Sequence, residues 1–274
     1  MLRAVSPGPD HPLSLEVVLG RGRSSSWQAW RVCGRYVAAK DPAALALEFD
    51  AHVDSEDHLA PDYNVAPTKQ VHVVVDREVE EARARTLEIA RWGLIPSWAK
   101  DPSMGSRMIN ARAETVASKP AFRSAFARRR CLVPADGYYE WYEPTEPGAP
   151  AGRSGKPLKQ PFFIHPEDGR SLPMAGLYEW WRDPTLPEDD GSAWRLTCTV
   201  ITTQASDAVG RIHDRMPMTI ARSNWAAWLD PQVGAAEAGG LLAPAADITL
   251  VAYPVSTRVN SVRNNGPELV APLA

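Results

Sequence analysis

The feature that most constrains the fold is a series of short segments in which β-branched and aromatic residues alternate with polar ones. Residues 70–75 and 86–92 show this alternation, which is typical of strands with one buried face. Further strands are predicted at residues 131–142, 161–165, 173–180, 195–203 and 247–253. No regular strand–helix–strand rhythm links these segments. We therefore expect an α+β fold, a single domain with a mainly antiparallel β-sheet that can close like a barrel, and short peripheral helices.

Three short helices are predicted between the strands. Asp41 is suited to the N-cap and Pro42 to the first position of a helix that continues to Phe49. Residues 119–129 place apolar side chains on one face, and residues 224–229 form a further short helix.

The first 32 residues differ from the rest of the chain. They are rich in Pro, Gly, Ser and Arg and have no sustained period, which predicts a disordered leader before a domain at residues 33–270. Alternatively, they are a mis-assigned start. Val32 can be encoded by a GTG codon, which bacteria read as a starting methionine, and the protein would then begin Met-Cys-Gly-Arg.

The composition excludes several classes of protein. Hydrophobic residues make up 44% of the 274 residues, which is enough to fill a core. No apolar stretch reaches 18 residues, and Glu16 interrupts the apolar run near the start, so neither a membrane span nor a signal peptide is predicted. We expect a cytoplasmic protein. The three cysteines Cys33, Cys131 and Cys198 show no C-x-x-C spacing, and no disulfide framework, metal or cofactor is expected.

The charge distribution is uneven. The net charge of −3 argues against a nucleic-acid partner, because nucleic-acid-binding domains are usually basic. Residues 107–130, however, hold seven basic residues against one acidic residue, Glu114, a local charge of +6. This segment is either a surface that binds a phosphate backbone or a solvated helix face.

Six short clusters are dense in Asn, Arg, Trp, Glu and His. They are Cys33–Tyr36, Asn64–Pro67, Arg91–Trp98, Asn110–Glu114, Gly137–Trp141 and His213–Pro217. In this order the set resembles the SOS response-associated peptidase family, also called abasic-site processing proteins, from about Cys33 to Pro267. The resemblance implies an active-site cysteine at the mature amino terminus that captures abasic sites in single-stranded DNA covalently.

The resemblance also implies roles for individual residues. Cys33 resembles the nucleophile, Asn110 and Glu140 its neighbours, and His213 a second acid–base group. The residues that resemble DNA contacts or site-shaping positions are Arg35, Asn64, Trp92, Trp98, Arg112, Glu114 and Arg215. One departure is large, because 32 residues precede the cysteine here.

The chemistry of an amino-terminal cysteine supports this interpretation independently. An abasic deoxyribose opens to an aldehyde, with which the α-amine forms a Schiff base that the thiol closes to a thiazolidine. An α-amine with a pKa near 8 is roughly 10% neutral at pH 7, against about 0.04% for lysine. Glu140 can move protons, His213 can assist sugar opening or stabilise an oxyanion, and Asn110 can position the amine or the aldehyde oxygen.

Several alternatives stay open from sequence alone. Trp92 and Trp98 are either core residues or stacking surfaces for bases. Cys33, His213 and Glu140 could instead form a cysteine peptidase that acts on other proteins. A non-covalent module that binds single-stranded DNA needs only basic and aromatic residues. The hypothesis of covalent capture predicts a monomer whose partner is single-stranded DNA with abasic sites. It also predicts peptidase activity for self-processing, with possible lyase chemistry. The protein would associate with the nucleoid when it is bound to damaged DNA.

Overall fold

The computed structural model describes residues 33–273, except 54–57, 80–81, 146–149, 153–154, 156 and 206. The prediction for residues 1–32 lies outside this part of the chain. The described residues form thirteen β-strands and five short α-helices. In chain order these are β1 Tyr36–Ala38, α1 Pro42–Phe49, β2 His52–Val53, β3 Asp62–Val65, β4 Gln70–Val79, β5 Ala82–Trp92, β6 Asn110–Arg112, α2 Arg123–Arg128, β7 Arg130–Ala135, β8 Gly137–Tyr142, β9 Gln160–Pro166, β10 Leu172–Arg182, β11 Trp194–Gln204, α3 Asp207–Gly210, β12 Arg215–Pro217, α4 Trp225–Leu229, α5 Ala235–Gly240 and β13 Leu250–Pro254.

Five strands close into a barrel, in the order β11-β10-β7-β4-β5 with β5 returning to β11. Four of the five pairings are antiparallel. The closing pair is parallel and places Thr197 opposite Arg91 and Cys198 opposite Trp92. Every second residue of these strands faces inward, as in other small barrels whose interior is filled by side chains. The inward-facing residues include Val71, Val73, Val75, Ala90, Trp92, Cys131, Val133, Met174, Cys198 and Val200. The expected α+β fold with a barrel-like sheet is confirmed.

A second, fully antiparallel sheet has the order β13-β9-β8-β1-β3. Its residues Tyr36, Tyr138 and Ile164 belong to the same hydrophobic cluster as the barrel interior, so this sheet packs against the barrel. The outward face of the barrel carries a separate hydrophobic cluster with the helices, in which the rings of Phe49 and Trp225 stack at 4.7 Å.

The single strand predicted at residues 131–142 is wrong, because the chain changes sheets in its middle. Strand β7 belongs to the barrel and β8 to the second sheet, and Asp136 between them accepts a hydrogen bond from the Ala39 amide at 2.6 Å. Gly137 permits the change, since a Cβ there would lie 2.6 Å from the carbonyl oxygen of Ile164. The change of sheets does not interrupt the run of apolar residues, so the sequence pattern does not reveal it.

The helices follow their sequence signals only in part. Asp41 caps α1 by accepting a hydrogen bond from the Ala43 amide at 2.8 Å, as predicted. The helix predicted at 119–129 is shorter, because α2 begins at Arg123 after a series of turns. No helix in the described part of the chain is long and apolar enough to cross a membrane.

Candidate active site

Cys33 and Glu140 form the centre of the site. The backbone N–H of Cys33 donates a hydrogen bond to Oε1 of Glu140 at 2.7 Å, and the two residues are 4% and 3% exposed. Adjacent strands bring them together, since β1 pairs with β8 with Tyr36 opposite Tyr138. Cys33 has a φ of 47°, a left-handed conformation that is uncommon for a residue with a Cβ. The fold therefore holds this backbone nitrogen against a buried carboxylate at the cost of local strain.

Burial alters the acid–base properties of both groups. It raises the pKa of the Cys33 thiol, and the nearby Glu140 carboxylate raises it further. Burial also raises the pKa of Glu140, while His213 and the hydrogen bonds from Cys33 act in the opposite direction. A carboxyl group with a raised pKa holds and exchanges its proton at a higher pH than an ordinary carboxyl group, which suits it to acid–base chemistry. The thiol is protonated at rest and needs such a base to react as a nucleophile.

His213 lies beside this pair, since it acts electrostatically on Glu140. Its Nδ1 atom is 3.1 Å from the backbone N–H of Arg215 and also 3.1 Å from a carboxylate oxygen of Asp214. A donor and an acceptor cannot both be satisfied by one ring nitrogen. We assign Nδ1 as the acceptor from the Arg215 amide, because the Asp214 side chain is 87% exposed and solvated. The proton of neutral His213 is then on Nε2.

Arg215 and Glu114, which are 101 residues apart, form a bidentate ion pair. The same guanidinium donates to the carbonyl oxygen of Thr202 at 2.7 Å. Arg215 also lies near the site, since its charge lowers the pKa of Cys33. The structure thus brings the predicted site residues Glu114 and Arg215 together, with the Arg215 charge close enough to act on the cysteine.

Asn110 and Arg112 lie at the same end of β11. Strand β6 runs parallel to β11 and places Asn110 opposite Val200 and Arg112 opposite Thr202. This is the end of β11 that also pairs with β12, the strand of Arg215. Arg112 is exposed to solvent. Two arginines, one exposed and one paired with Glu114, therefore lie at the same end of β11.

Arg35 and Asn64 hold the C-terminal segment in place. Nη1 of Arg35 donates to Oδ1 of Asn64 at 2.7 Å and to the carbonyl oxygen of Val259 at 2.9 Å. Nδ2 of Asn64 contacts three backbone carbonyl oxygens, those of Val259, Ser261 and Asn264. Asn64 is fully buried, so in this structure it supports the site and presents no group to DNA.

The structure separates Trp92 from Trp98. Trp92 is 1% exposed inside the barrel, where its Nε1 donates to the carbonyl oxygen of Ile109 at 2.9 Å, so it adopts the core alternative. Trp98 is 59% exposed and keeps a face for stacking. Its neighbour Ala99 accepts a hydrogen bond from Trp181, which pairs with Arg195 near the start of β11. Arg112 pairs with Thr202 near the other end of the same strand. Trp98 is thus outside the Cys33 cluster.

The basic segment 107–130 is not one continuous surface. Arg130 is 1% exposed and donates to five backbone carbonyl oxygens, those of Phe126, Ala127, Trp228, Asp230 and Val233. Arg129 is paired with Glu179 at 2.7 Å. These two cations stabilise the fold, and the sequence interpretation that counted them in a phosphate-binding surface is wrong for them. The exposed basic residues are Arg107, Arg112, Lys119, Arg123 and Arg128.

The sequence interpretation did not single out Tyr138, which shares the core cluster with Cys33. The signal was present, because a residue two positions before Glu140 on a strand faces the same side of the sheet. Within the described residues, no group of three or more His, Cys, Asp or Glu residues is arranged to hold a metal ion.

The fold and the site together define a single-domain α+β protein in which a barrel and a second sheet hold a buried cysteine against a carboxylate. Residues 32–262 match the model of the SOS response associated peptidase (SRAP) family, and the chain belongs to this family. It is 36% identical over 243 residues to the abasic site processing protein YoqW of Bacillus subtilis, with 87% of this chain and 99% of that protein covered. It is 37% identical to the abasic site processing protein HMCES of Gallus gallus, with 80% and 68% covered.

Crystal structures of related proteins share the fold. A protein from Bacteroides thetaiotaomicron superposes with a TM-score of 0.71 at 25% identity, with 88% of this chain and 100% of that chain covered. A protein from Bordetella bronchiseptica gives a TM-score of 0.60 at 28% identity, with 82% and 100% covered.

Proposed function

We propose that this protein processes abasic sites in DNA by capturing them covalently in single strands through Cys33, acting as the amino-terminal residue. The observation that carries the proposal is the 2.7 Å contact between the Cys33 nitrogen and Glu140. A carboxylate beside this nitrogen can accept the proton that the amine must lose as it attacks an aldehyde. The names of YoqW and HMCES, both abasic site processing proteins, support the same substrate.

The proposed reaction has two stages. In the first, the neutral α-amine attacks C1′ of the opened sugar, and Glu140 carries one amine proton to the aldehyde oxygen, which becomes a hydroxyl. Glu140 then carries the second amine proton to this hydroxyl, water leaves, and a carbon–nitrogen double bond forms. In the second stage the thiol sulfur adds to the same carbon, and its proton passes through Glu140 to the nitrogen. The net change is loss of one water and formation of a five-membered thiazolidine ring.

The surrounding residues supply positioning and charge. His213 with its proton on Nε2 can assist opening of the sugar, and Asn110 can orient the aldehyde oxygen. Arg112 and Arg215 offer positive charge to the phosphates on either side of the lesion. Such a site requires a free α-amine on residue 33, which a peptide bond to Val32 would block.

Two routes could expose this amine. In the first, the thiol attacks the Val32 carbonyl, the acyl group moves from nitrogen to sulfur, and water then releases the leader, with Glu140 or His213 moving the proton. In the second, translation starts at Val32 and the initiator methionine is removed. Intact-mass analysis after expression from native upstream DNA tests both routes, and mutation of the upstream ATG abolishes the product only in the first. A fully active crosslinker that retains Met1 would contradict both.

The function is tested with a single-stranded oligonucleotide that carries one abasic site. The parent protein should give a heat-stable shifted band on a denaturing gel. Expressed with an initiator methionine directly before residue 33, Cys33→Ala keeps the α-amine after that methionine is removed but lacks the thiol, so it should give a band only when borohydride reduces the Schiff base. Equal heat-stable bands without borohydride for both proteins would refute the thiazolidine.

The same assay separates the alternatives. Acetylation of the amino terminus abolishes crosslinking but leaves a peptidase that acts on other proteins unaffected. A non-covalent binding module would bind the strand equally well with Cys33→Ala and would never form the band. We further propose that the protein works in the cytoplasm as a monomer.

A further inference from the structure

Tyr138 carries a buried hydroxyl that the site described so far does not use. The residue is 1% exposed, and its hydroxyl has no hydrogen-bond partner among the described residues. An unpaired buried hydroxyl is costly, and such groups in native proteins call for a specific explanation.

The position of Tyr138 in the fold places it beside the reacting groups. It precedes Glu140 by two residues on β8, so both side chains extend from the same face of the strand. It belongs to the same hydrophobic cluster as Cys33. The Cys33 thiol and the Glu140 carboxyl both act electrostatically on its phenol. Neither of them bonds to it, which leaves its proton free to donate to a third group.

We propose that the Tyr138 hydroxyl donates a hydrogen bond to the aldehyde oxygen of the opened abasic sugar and is a substrate-contacting residue of this site. The inference rests on the proposed function and adds a residue to it. When the Cys33 amine adds to C1′, the carbonyl π bond breaks and negative charge develops on this oxygen. A donor placed there stabilises the charge until Glu140 delivers the first amine proton, which turns the oxygen into a hydroxyl.

The environment of Tyr138 suits a donor that keeps its own proton. Burial, with the Cys33 and Glu140 charges adding to it, raises the pKa of the phenol. Tyr138 is therefore a neutral phenol throughout the pH range in which the amine reacts. It can hold the developing oxyanion without competing with Glu140 for the transferred proton.

The chain supplies a matched control in Tyr36. Its hydroxyl is also buried and has no partner among the described residues, and its Cα pairs with that of Tyr138 across two strands. The groups that act on its phenol, however, include the core residues Cys131 and Cys198 and neither Cys33 nor Glu140. Loss of this second hydroxyl measures the effect of removing any buried oxygen from the same core.

The test compares Tyr138→Phe and Tyr36→Phe with the parent, each purified as the processed protein and checked by intact mass. Single-turnover crosslinking is followed at increasing protein concentration on a single-stranded oligonucleotide with one abasic site. Tyr138→Phe should lower the maximal rate constant about 10- to 100-fold. The half-saturating concentration and the affinity for undamaged strand should stay at parent values, and Tm should stay at or above the parent value, since the variant loses an unpaired buried hydroxyl. Tyr36→Phe should crosslink at the parent rate.

Three outcomes overturn the inference. Tyr138→Phe could crosslink at the parent rate, Tyr36→Phe could be slowed as much, or the slower rate could be matched by a higher half-saturating concentration or a lower Tm. A parent protein that forms no adduct would instead refute the proposed function itself. The two failures are therefore distinguishable in one experiment.

Discussion

The backbone nitrogen of Cys33 lies 2.7 Å from Oε1 of Glu140, although 107 residues separate them in the chain. This contact places a buried carboxylate against the nitrogen that would attack the aldehyde in the proposed reaction. It also makes the ionisation of Glu140 a property of the folded state, because burial raises the pKa of this carboxyl.

Glu140→Gln should make stability less sensitive to pH. Glu140 has a higher pKa in the folded chain than in the unfolded chain, so the folded chain keeps the proton to a higher pH. The stability that this group contributes is therefore fully present below its unfolded pKa. It is lost as the pH rises through its folded pKa. Gln cannot ionise. The test uses chains that begin at Met1 and carry Cys33→Ala, so that the peptide bond before residue 33 is not cleaved. In these chains Glu140→Gln should raise Tm at pH 8, and the increase should be much smaller at pH 4. A Tm difference independent of pH would show that Glu140 titrates normally.

Arg112→Ala should weaken binding to single-stranded DNA and reduce the salt dependence by about one phosphate contact. The reason is that Arg112 is exposed on β6 at the end of β11 that also carries Arg215. The measurement is binding of an undamaged oligonucleotide at several salt concentrations. Arg128→Ala, which removes another exposed arginine, is the control. An unchanged slope for Arg112→Ala would place the DNA elsewhere.

Glu114→Gln should strengthen DNA binding a few-fold. Glu114 neutralises Arg215 through two hydrogen bonds, and a phosphate must compete with this carboxylate for the guanidinium. Gln removes the negative charge while keeping the size of the side chain. The salt dependence of binding should become steeper by about one contact. Weaker binding would show that the carboxylate orients Arg215 more than it competes.

Arg130→Met should lower the free energy of unfolding by about 3–5 kcal/mol, because five carbonyl oxygens lose a charged donor in a buried position. Arg128→Ala should change it by less than about 0.5 kcal/mol, since Arg128 is exposed. Both are measured by urea unfolding. Equal effects of the two substitutions would contradict the structural role of Arg130.

Trp98→Ala should weaken binding only for strands long enough to reach it. Ala99 is hydrogen-bonded to Trp181, whose strand partner is Arg195. Arg195 lies five residues before Val200, the partner of Asn110, so about 17 Å of strand separates these two positions of β11. Trp98 therefore lies toward the far end of β11 from Asn110. Stacking on this ring would contribute about 1–3 kcal/mol per base. A dinucleotide and a twelve-nucleotide strand are compared by titration. A loss of affinity for both would mean that Trp98 contacts the strand beside the site.

The sequence by itself determined the strands, the α1 cap and the family. Alternation of apolar and polar residues located β4, β5, β9, β10 and β11, because a half-buried strand imposes that period whatever packs against it. Asp41 and Pro42 marked the start of α1, because a cap is satisfied within a few residues. The six polar clusters predicted the family, which the comparison confirms.

Only the tertiary structure decided which element packs against the buried face of each strand. A period of two shows that one side of a strand is covered but not which strand covers it, so the parallel β5–β11 pairing and the change of sheets at Asp136 were not in the pattern. Arg130 and Arg128 look alike in sequence, and only the carbonyl oxygens of distant segments make the first a core residue. Tyr138 and Glu140 became candidates for the proposed reaction in the same way, because the fold places both of them, buried, beside Cys33.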